Sequence, residues 1–373
     1  MLKTRDAVLC YQETQSSDKS TKTIDLDLVD PISAIVFEFE ARNGTTNNIV
    51  NPFPFVVTKM EIVDGSDVLA SLSFPQAQAL KFYKDGKQPE LRETEDGGTL
   101  YGGPQVMGTS ILFGRKLWDR DFALDLTKFA NPQLKISWDL TNIRACSSTT
   151  AFYTGTMVIS AWAKVMEGQP APGKFLMAKE IEAWTGATSG DKRHELPVDF
   201  PYHLLMLRLY SRGYDVDECI TKLKLTCDTD KFIPFERYTK QLDAEMAQLF
   251  GNAFIWKVFS LKHDDTIWFE INKEPQVYPV TQALGRIVDS PWHWAGNANI
   301  GLCDHAGAAI TTREALHIGI EGHALHHTLP LPMGVMDEPD TWFDPTGYKK
   351  LELIGTEAVA SANALVAEQV RPN

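Results

Sequence analysis

Apolar and polar residues alternate with a period of two along most of the chain, the pattern of half-buried strands. In AIVFEFEA, Ile35, Phe37 and Phe39 share one face while Val36, Glu38 and Glu40 share the other. KISWDL repeats the rule with Ile136, Trp138 and Leu140 against Lys135, Ser137 and Asp139. LLMLRLY places Leu205, Leu207 and Leu209 together, and TKLKLTC sets Leu223, Leu225 and Cys227 opposite Lys222, Lys224 and Thr226. TMVISAWAKV, KKLELIG and NALVAEQV read as further strands. Helical spacing is confined to two short stretches. FPQAQALKFY carries Phe74, Ala77, Leu80 and Tyr83 three apart, and YTKQLDAEMAQLFG carries Leu242, Met246 and Leu249 on one stripe, with Gly251 as its stop.

Pro and Gly interrupt the pattern most strongly in EGQPAPGK, residues 167–174, which predicts a linker between two domains. The two halves share an order of features. KMEIVDGSDVL passes through Asp64 and Asp67 to Phe74 and the first helix; KLKLTCDTDKFIPF passes through Asp228 and Asp230 to Phe235 and the second. Each half also closes on an apolar strand, near Val165 and near Val370, so duplication is the better reading. Many short strands with turn signals between them point to sandwiches rather than to parallel-sheet enzymes. Two units of roughly 170–200 residues fit jelly rolls better than immunoglobulin-like domains of about 100.

The length of 373 residues agrees with two domains, and 43% hydrophobic residues suffice to build two cores. A formal charge of -13 disfavours a nucleic-acid backbone as partner, because no basic cluster overrides the field. Lys222 and Lys224 read as the solvent face of one strand. Five irregularly spaced cysteines argue against a disulfide framework and against paired metal clips. The first twenty residues lack the apolar core of a signal peptide, and no apolar run is long enough to span a bilayer, so synthesis in a reducing cell interior is expected.

The runs NPFPFVVTKMEIVDGSDVLASLSFPQAQALKFY and DFPYHLLMLRLY, then DTDKFIPF, and the ending KKLELIGTEAVASANALVAEQVRPN resemble double jelly-roll major capsid proteins of tailless icosahedral viruses. Those of membrane-containing bacteriophages in the adenovirus and tectivirus lineage are the most similar. The resemblance implies an all-β chain of two tandem eight-stranded jelly-roll sandwiches with short inserted helices and long loops. It also implies an obligate homotrimer in an icosahedral virion shell, with minor capsid or vertex proteins and an internal membrane as further partners, and no enzymatic activity or cofactor. The expected division is a flexible inner arm over residues 1–24, a first roll over 25–168, a linker over 169–174 and a second roll over 175–373. Residues 84–108 and the stretch 263–332, read as irregular, become candidate outer loops or trimer contacts.

Candidate chemistry is sparse. In EGHALHH, His323 and His327 would share a helical face, with His326, Glu321 and the upstream His317 close by, a spacing that can bind zinc. Leu316, Ile318 and Ile320 alternate like a strand, however, and Gly319 and Gly322 disfavour a helix, so a solvated or interface cluster is the simpler expectation. The Asp64/Asp67 and Asp228/Asp230 turns offer two carboxylates each, too few for calcium, and turn aspartates usually bond their own backbone. Cys303, Asp304 and His305 are adjacent without the geometry of a catalytic group. Trp292, His293 and Trp294 suit either stacking on a sugar or anchoring an interface. No catalytic, cofactor-binding or metal residue is therefore assigned; a two-sandwich glycan-processing hydrolase and a carbohydrate-binding surface protein remain the alternatives.

Overall fold

The computed structural model describes residues 3–42, 53–95, 104–141, 152, 155–280, 286–289, 293–304, 306–312 and 314–373. Strand takes up 58% of the structure and helix 12%, which makes the protein all-β. The first half holds β1 (Lys3–Gln15), β2 (Lys19–Asp25), β3 (Ile32–Arg42), β4 (Val57–Asp64), β5 (Asp67–Leu72), α1 (Phe74–Asp85), β6 (Glu90–Glu95), β7 (Pro104–Leu112), β8 (Pro132–Asp139) and β9 (Met157–Glu167). The second opens with β10 (Lys174–Thr185), β11 (Gly190–Leu196), β12 (Tyr202–Tyr210), α2 (Val216–Cys219), β13 (Ile220–Cys227), β14 (Phe232–Tyr238) and α3 (Thr239–Phe250). An insertion follows: β15 (Ala253–Leu261), β16 (Asp265–Trp268), β17 (Ile271–Val280), β18 (Arg286–Asp289), β19 (His293–Trp294), β20 (Asn297–Asp304) and β21 (Glu314–Leu325). The chain then returns through β22 (Thr328–Pro332), β23 (Leu351–Glu357) and β24 (Ala362–Pro372).

Each half is a jelly roll with the same strand order. In the first, β1-β9-β3-β7 faces β2-β8-β4-β5; in the second, β10-β24-β12-β22 faces β11-β23-β13-β14. The first and last strands of each roll are neighbours, and with the rest of the order this is the two-Greek-key arrangement of a jelly roll. The repeat legible in the sequence falls at equivalent places, because β4, its turn, β5 and α1 correspond to β13, its turn, β14 and α3.

Residues 3–24, expected as part of a flexible arm, instead fall within the first two strands of the first roll and their connection. β1 pairs with β9 from Lys3↔Glu167 to Gln15↔Met157, and β2 pairs with β8 from Lys19↔Asp139 to Asp25↔Gln133. Their polarity comes from position: each is an outer strand, and β1 leaves Val8 and Tyr11 exposed while burying Cys10. The stretch 263–332 is likewise not irregular, since β16 to β22 run through it. Residues 84–108 contain β6 and part of β7, and 96–103 lie outside the described residues.

Two seams join the rolls. β6 pairs parallel with β15 from Trp256↔Arg92 to Phe259↔Glu95, which adds β15-β21-β17 to a first-roll sheet. β5 meets β10 in parallel at Ser71↔Lys179, which continues the other first-roll sheet into β10-β24-β12-β22. One hydrophobic core therefore crosses the boundary and includes Met177, Met206 and Val366 beside Phe37, Phe39 and Phe74. Leu205, Leu207 and Leu209 point the other way, into the core of the second roll. LLMLRLY is apolar on both faces because β12 lies between two cores.

Helix α1 sits at this junction. Gln76 Oε1 accepts the Ser73 backbone N–H at 2.8 Å, Pro75 lies in the first turn, and Gly86 closes the helix at φ +65°, where L side chains are strained. Phe74, Ala77, Leu80 and Tyr83 are all buried. On α3, Leu242 and Met246 are buried but Leu249 is exposed; Phe250 makes the core contact instead, with its ring 5.0 Å from that of Tyr83.

Candidate functional site: a charged seam and an open cleft

Elements of both rolls bring buried polar side chains together at the junction. Lys84 of α1 places Nζ 2.6 Å from Glu368 Oε1 and 3.1 Å from the Leu112 carbonyl. Glu368 Oε2 lies 2.5 Å from His203 Nδ1, and His203 Nε2 lies 3.1 Å from the Met336 carbonyl. Burial opposes the charge on Glu368, yet Lys84 and His203 hold its carboxyl below the usual carboxylate range. At the rim, Arg371 forms a bidentate pair with Asp67, one contact being 2.8 Å. Tyr83 Oη completes the seam 2.9 Å from Thr328 Oγ1.

The histidine-rich segment is a strand and a turn. His317, Glu321 and His323 lie on β21, and His326 and His327 form the two-residue turn into β22, with φ of +55° and +60°. Both turn histidines are buried, and burial pushes His327 down to about 3 and His326 well below the ordinary range. Three of the histidines part company: His323 Nε2 lies 3.3 Å from Asp243 Oδ2, His326 Nε2 lies 2.7 Å from Gln78 Oε1, and His327 packs its ring 4.8 Å from Tyr210. Among the described residues, no group of three or more His, Cys, Asp or Glu side chains is placed to hold a metal.

The other sequence candidates serve the backbone or the surface. Asp64 accepts N–H groups from Ala130 and Asn131, and Asp228 accepts them from Lys349 and Lys350. Asp230 pairs with Lys224 at 2.8 Å, and Lys222 pairs with Glu236. Cys303 Sγ is 3.7 Å from His263 Nδ1, and Asp304 accepts N–H bonds within its own turn. Trp294 is exposed on β19 beside a half-buried His293. Trp292 and His305 lie outside the described residues. Cys10, Cys219, Cys227 and Cys303 are free thiols.

A cleft of about 1080 Å³ opens where the rolls diverge beyond the Ser71↔Lys179 contact. Its floor is β-sheet, with Ala183, Ala364 and Arg208 in one cross-strand row and Thr185, Ala362 and Tyr210 in the next. The opposite wall is Phe55, Val57, Thr58 and the start of α1. The guanidinium of Arg208 lies over the rings of Phe55 and Tyr210, with centroid distances of 5.1 and 5.3 Å. Its Nε is buried with no hydrogen-bond partner, and burial pushes the group down to about 10. Arg212 lies over Trp268 on the same rim.

Sequence reasoning passed over Lys84, His203, Arg208 and Glu368. A signal existed for two of them, since Arg208 interrupts the apolar run LLMLRLY and Glu368 interrupts NALVAEQV. A charge inside a strand apolar on both faces marks a buried charged group, which either finds a polar partner, as Glu368 does, or packs on aromatic rings, as Arg208 does. Nothing local named the partners.

Two fused jelly rolls define a double jelly-roll protein. The sequence matches no protein-family model and no curated protein. Solved structures match over almost the whole chain. The major capsid protein of Sulfolobus turreted icosahedral virus (STIV) aligns with a TM-score of 0.58 at 12% identity, over 99% of this chain and 96% of that one. The major capsid protein P2 of bacteriophage PM2 gives 0.53 at 9% identity, over 99% and 97%, and a PBCV-1 capsid chain gives 0.55 at 9%, over 99% and 94%. The chain has the double jelly-roll fold of viral major capsid proteins.

Proposed function

We propose that this chain is a viral major capsid protein, located in the virion, whose homotrimer presents six jelly rolls as a pseudo-hexagonal tile of an icosahedral shell. The observation that carries the reading is the duplication: two rolls of identical strand order are joined by paired strands and a buried charge network. Threefold symmetry acting on such a unit gives six similar walls from one gene product, and six similar walls tile a surface. Likeness to capsid chains along their full length, rather than to an isolated sandwich, supports the same conclusion.

Function then resides in contacts between copies and needs no catalytic group. Neighbouring trimers, minor or vertex proteins and an internal membrane are the partners, and the charge of -13 leaves the genome to other components. Jelly rolls host many functions, so assembly has to be measured. Light scattering of the purified protein should give about 125 kDa, three times 41.7 kDa, and electron microscopy should show six-cornered particles. A monomer at every concentration and pH would reject the proposal in favour of the hydrolase or carbohydrate-binding alternatives.

A further inference from the structure

We propose that the cleft between the two rolls is a binding site for a carboxylated sugar, whose carboxylate is received by Arg208 and whose ring lies on the alanine floor. Arg208 has no hydrogen bond or salt bridge among the described residues, although its Nε is out of contact with solvent. The guanidinium packs against two rings that touch each other, feels the charge of Glu180 across the cleft but makes no direct ion pair with it, and so keeps a fork of donors that matches one planar carboxylate. α1 adds to the field, because Ser73, Pro75 and Gln76 at its positive end line the opposite wall. Glu180, also in the lining, accepts a bond from Gln76 Nε2 at 2.5 Å; its negative charge disfavours a phosphate dianion more than a monoanion.

The rest of the lining suits a polyol. Ala183, Ala362 and Ala364 form a flat apolar floor, the surface on which a sugar ring lies. Glu180 offers acceptors around it, and the Thr58 hydroxyl, which donates to the Ser137 carbonyl at 3.2 Å, keeps its oxygen as an acceptor. An acidic peptide fits less well, since extended peptides are read through pockets for alternate side chains and this floor has none. The cleft also lies at the end of the rolls away from the 168–173 connection: β10 pairs Lys174↔Pro372 near that connection and Thr185↔Ala362 at the cleft.

The test is calorimetric titration of the full chain with digalacturonate, with its methyl ester, inorganic phosphate and an acidic hexapeptide as comparisons. We expect saturable binding of digalacturonate at one site per chain and little heat from the other three. Arg208→Gln should weaken binding by about tenfold or more, as loss of a charge-assisted bidentate contact does. Ala183→Phe, at an exposed floor position, should abolish it while the fold and assembly persist. No binding of digalacturonate, equal binding of its ester, or variants that bind like the wild type would overturn the proposal. Hexapeptide binding lost in the same variants would give the cleft to a protein partner and overturn it equally. Mass is read on the same samples, so a monomer that binds the sugar rejects only the capsid reading, and a trimer that does not bind rejects only this one.

Discussion

Lys84 Nζ and Glu368 Oε1 lie 2.6 Å apart across the junction of the two rolls, with side chains 1% and 0% exposed. Charges so placed recover their lost hydration only through each other and through His203 and the Leu112 carbonyl. The pair therefore fixes how the rolls meet more than it adds net stability: a misregistered junction leaves a bare charge inside the protein.

Removing one partner should be costly and removing both should not. Lys84→Met alone is expected to destabilise by about 3–5 kcal/mol, the cost of an uncompensated buried charge. The double variant Lys84→Met with Glu368→Gln should recover much of that loss. Urea unfolding of the two single variants and the double variant measures the coupling, and additive losses would contradict it. The rim pair Arg371–Asp67 is different, because Asp67 is 45% exposed; Asp67→Asn should cost less than about 1 kcal/mol.

Stability should fall in acid in two stages. His327 is held neutral, at about 3 in the folded protein, while the unfolded chain protonates near 6.5. Between those values the unfolded state binds the extra proton, so stability declines as pH falls from about 6.5, by up to about 1.4 kcal/mol per pH unit for this histidine. Glu368 adds a later loss, because its carboxyl is held below the ordinary value of about 4.3 and its contribution disappears as pH drops through the folded value. His327→Asn keeps a residue that tolerates positive φ and removes this histidine's share of the titration, leaving that of His326. Its unfolding midpoint should vary less between pH 7 and 5 than that of the wild type.

Two glycines on β21 should respond unequally to a methyl group. A Cβ at Gly322 would stand 2.7 Å from both Ile271 Cγ2 and the Lys273 carbonyl oxygen, and the backbone cannot withdraw cheaply. Gly322→Ala is expected to cost about 1–3 kcal/mol through overpacking. A Cβ at Gly319 would meet the Phe254 and Trp256 rings at 3.0 Å, but those rings are 37% and 42% exposed and free to turn outward. Gly319→Ala should leave the melting temperature nearly unchanged while altering near-ultraviolet circular dichroism.

Deleting residues 3–15 distinguishes a strand from a loose arm. Loss of β1 would uncover the edge of β9 along its whole length and open the core around Cys10. An unprotected edge recruits other strands, so the truncated chain should aggregate at concentrations where the full chain does not. Unchanged solubility and melting temperature would restore the arm.

The sequence by itself determined what depends on near neighbours. Side chains alternate across a strand every two residues, so the buried faces of AIVFEFEA, KISWDL and TKLKLTC were legible without any partner. The two short helices and the repeated strand–turn–strand–helix order were equally local. Tertiary structure decided whatever depends on residues far apart in the chain. KTRDAVLCYQETQ is too polar to announce a strand, and only its pairing with β9, from Lys3 to Glu167, makes it one. Lys84 and Glu368 are single charges among hundreds of residues until two sheets meet and shut out water. Arg208 gains its meaning the same way: the divergence of the rolls leaves it packed against two rings, facing a cleft that no stretch of sequence contains.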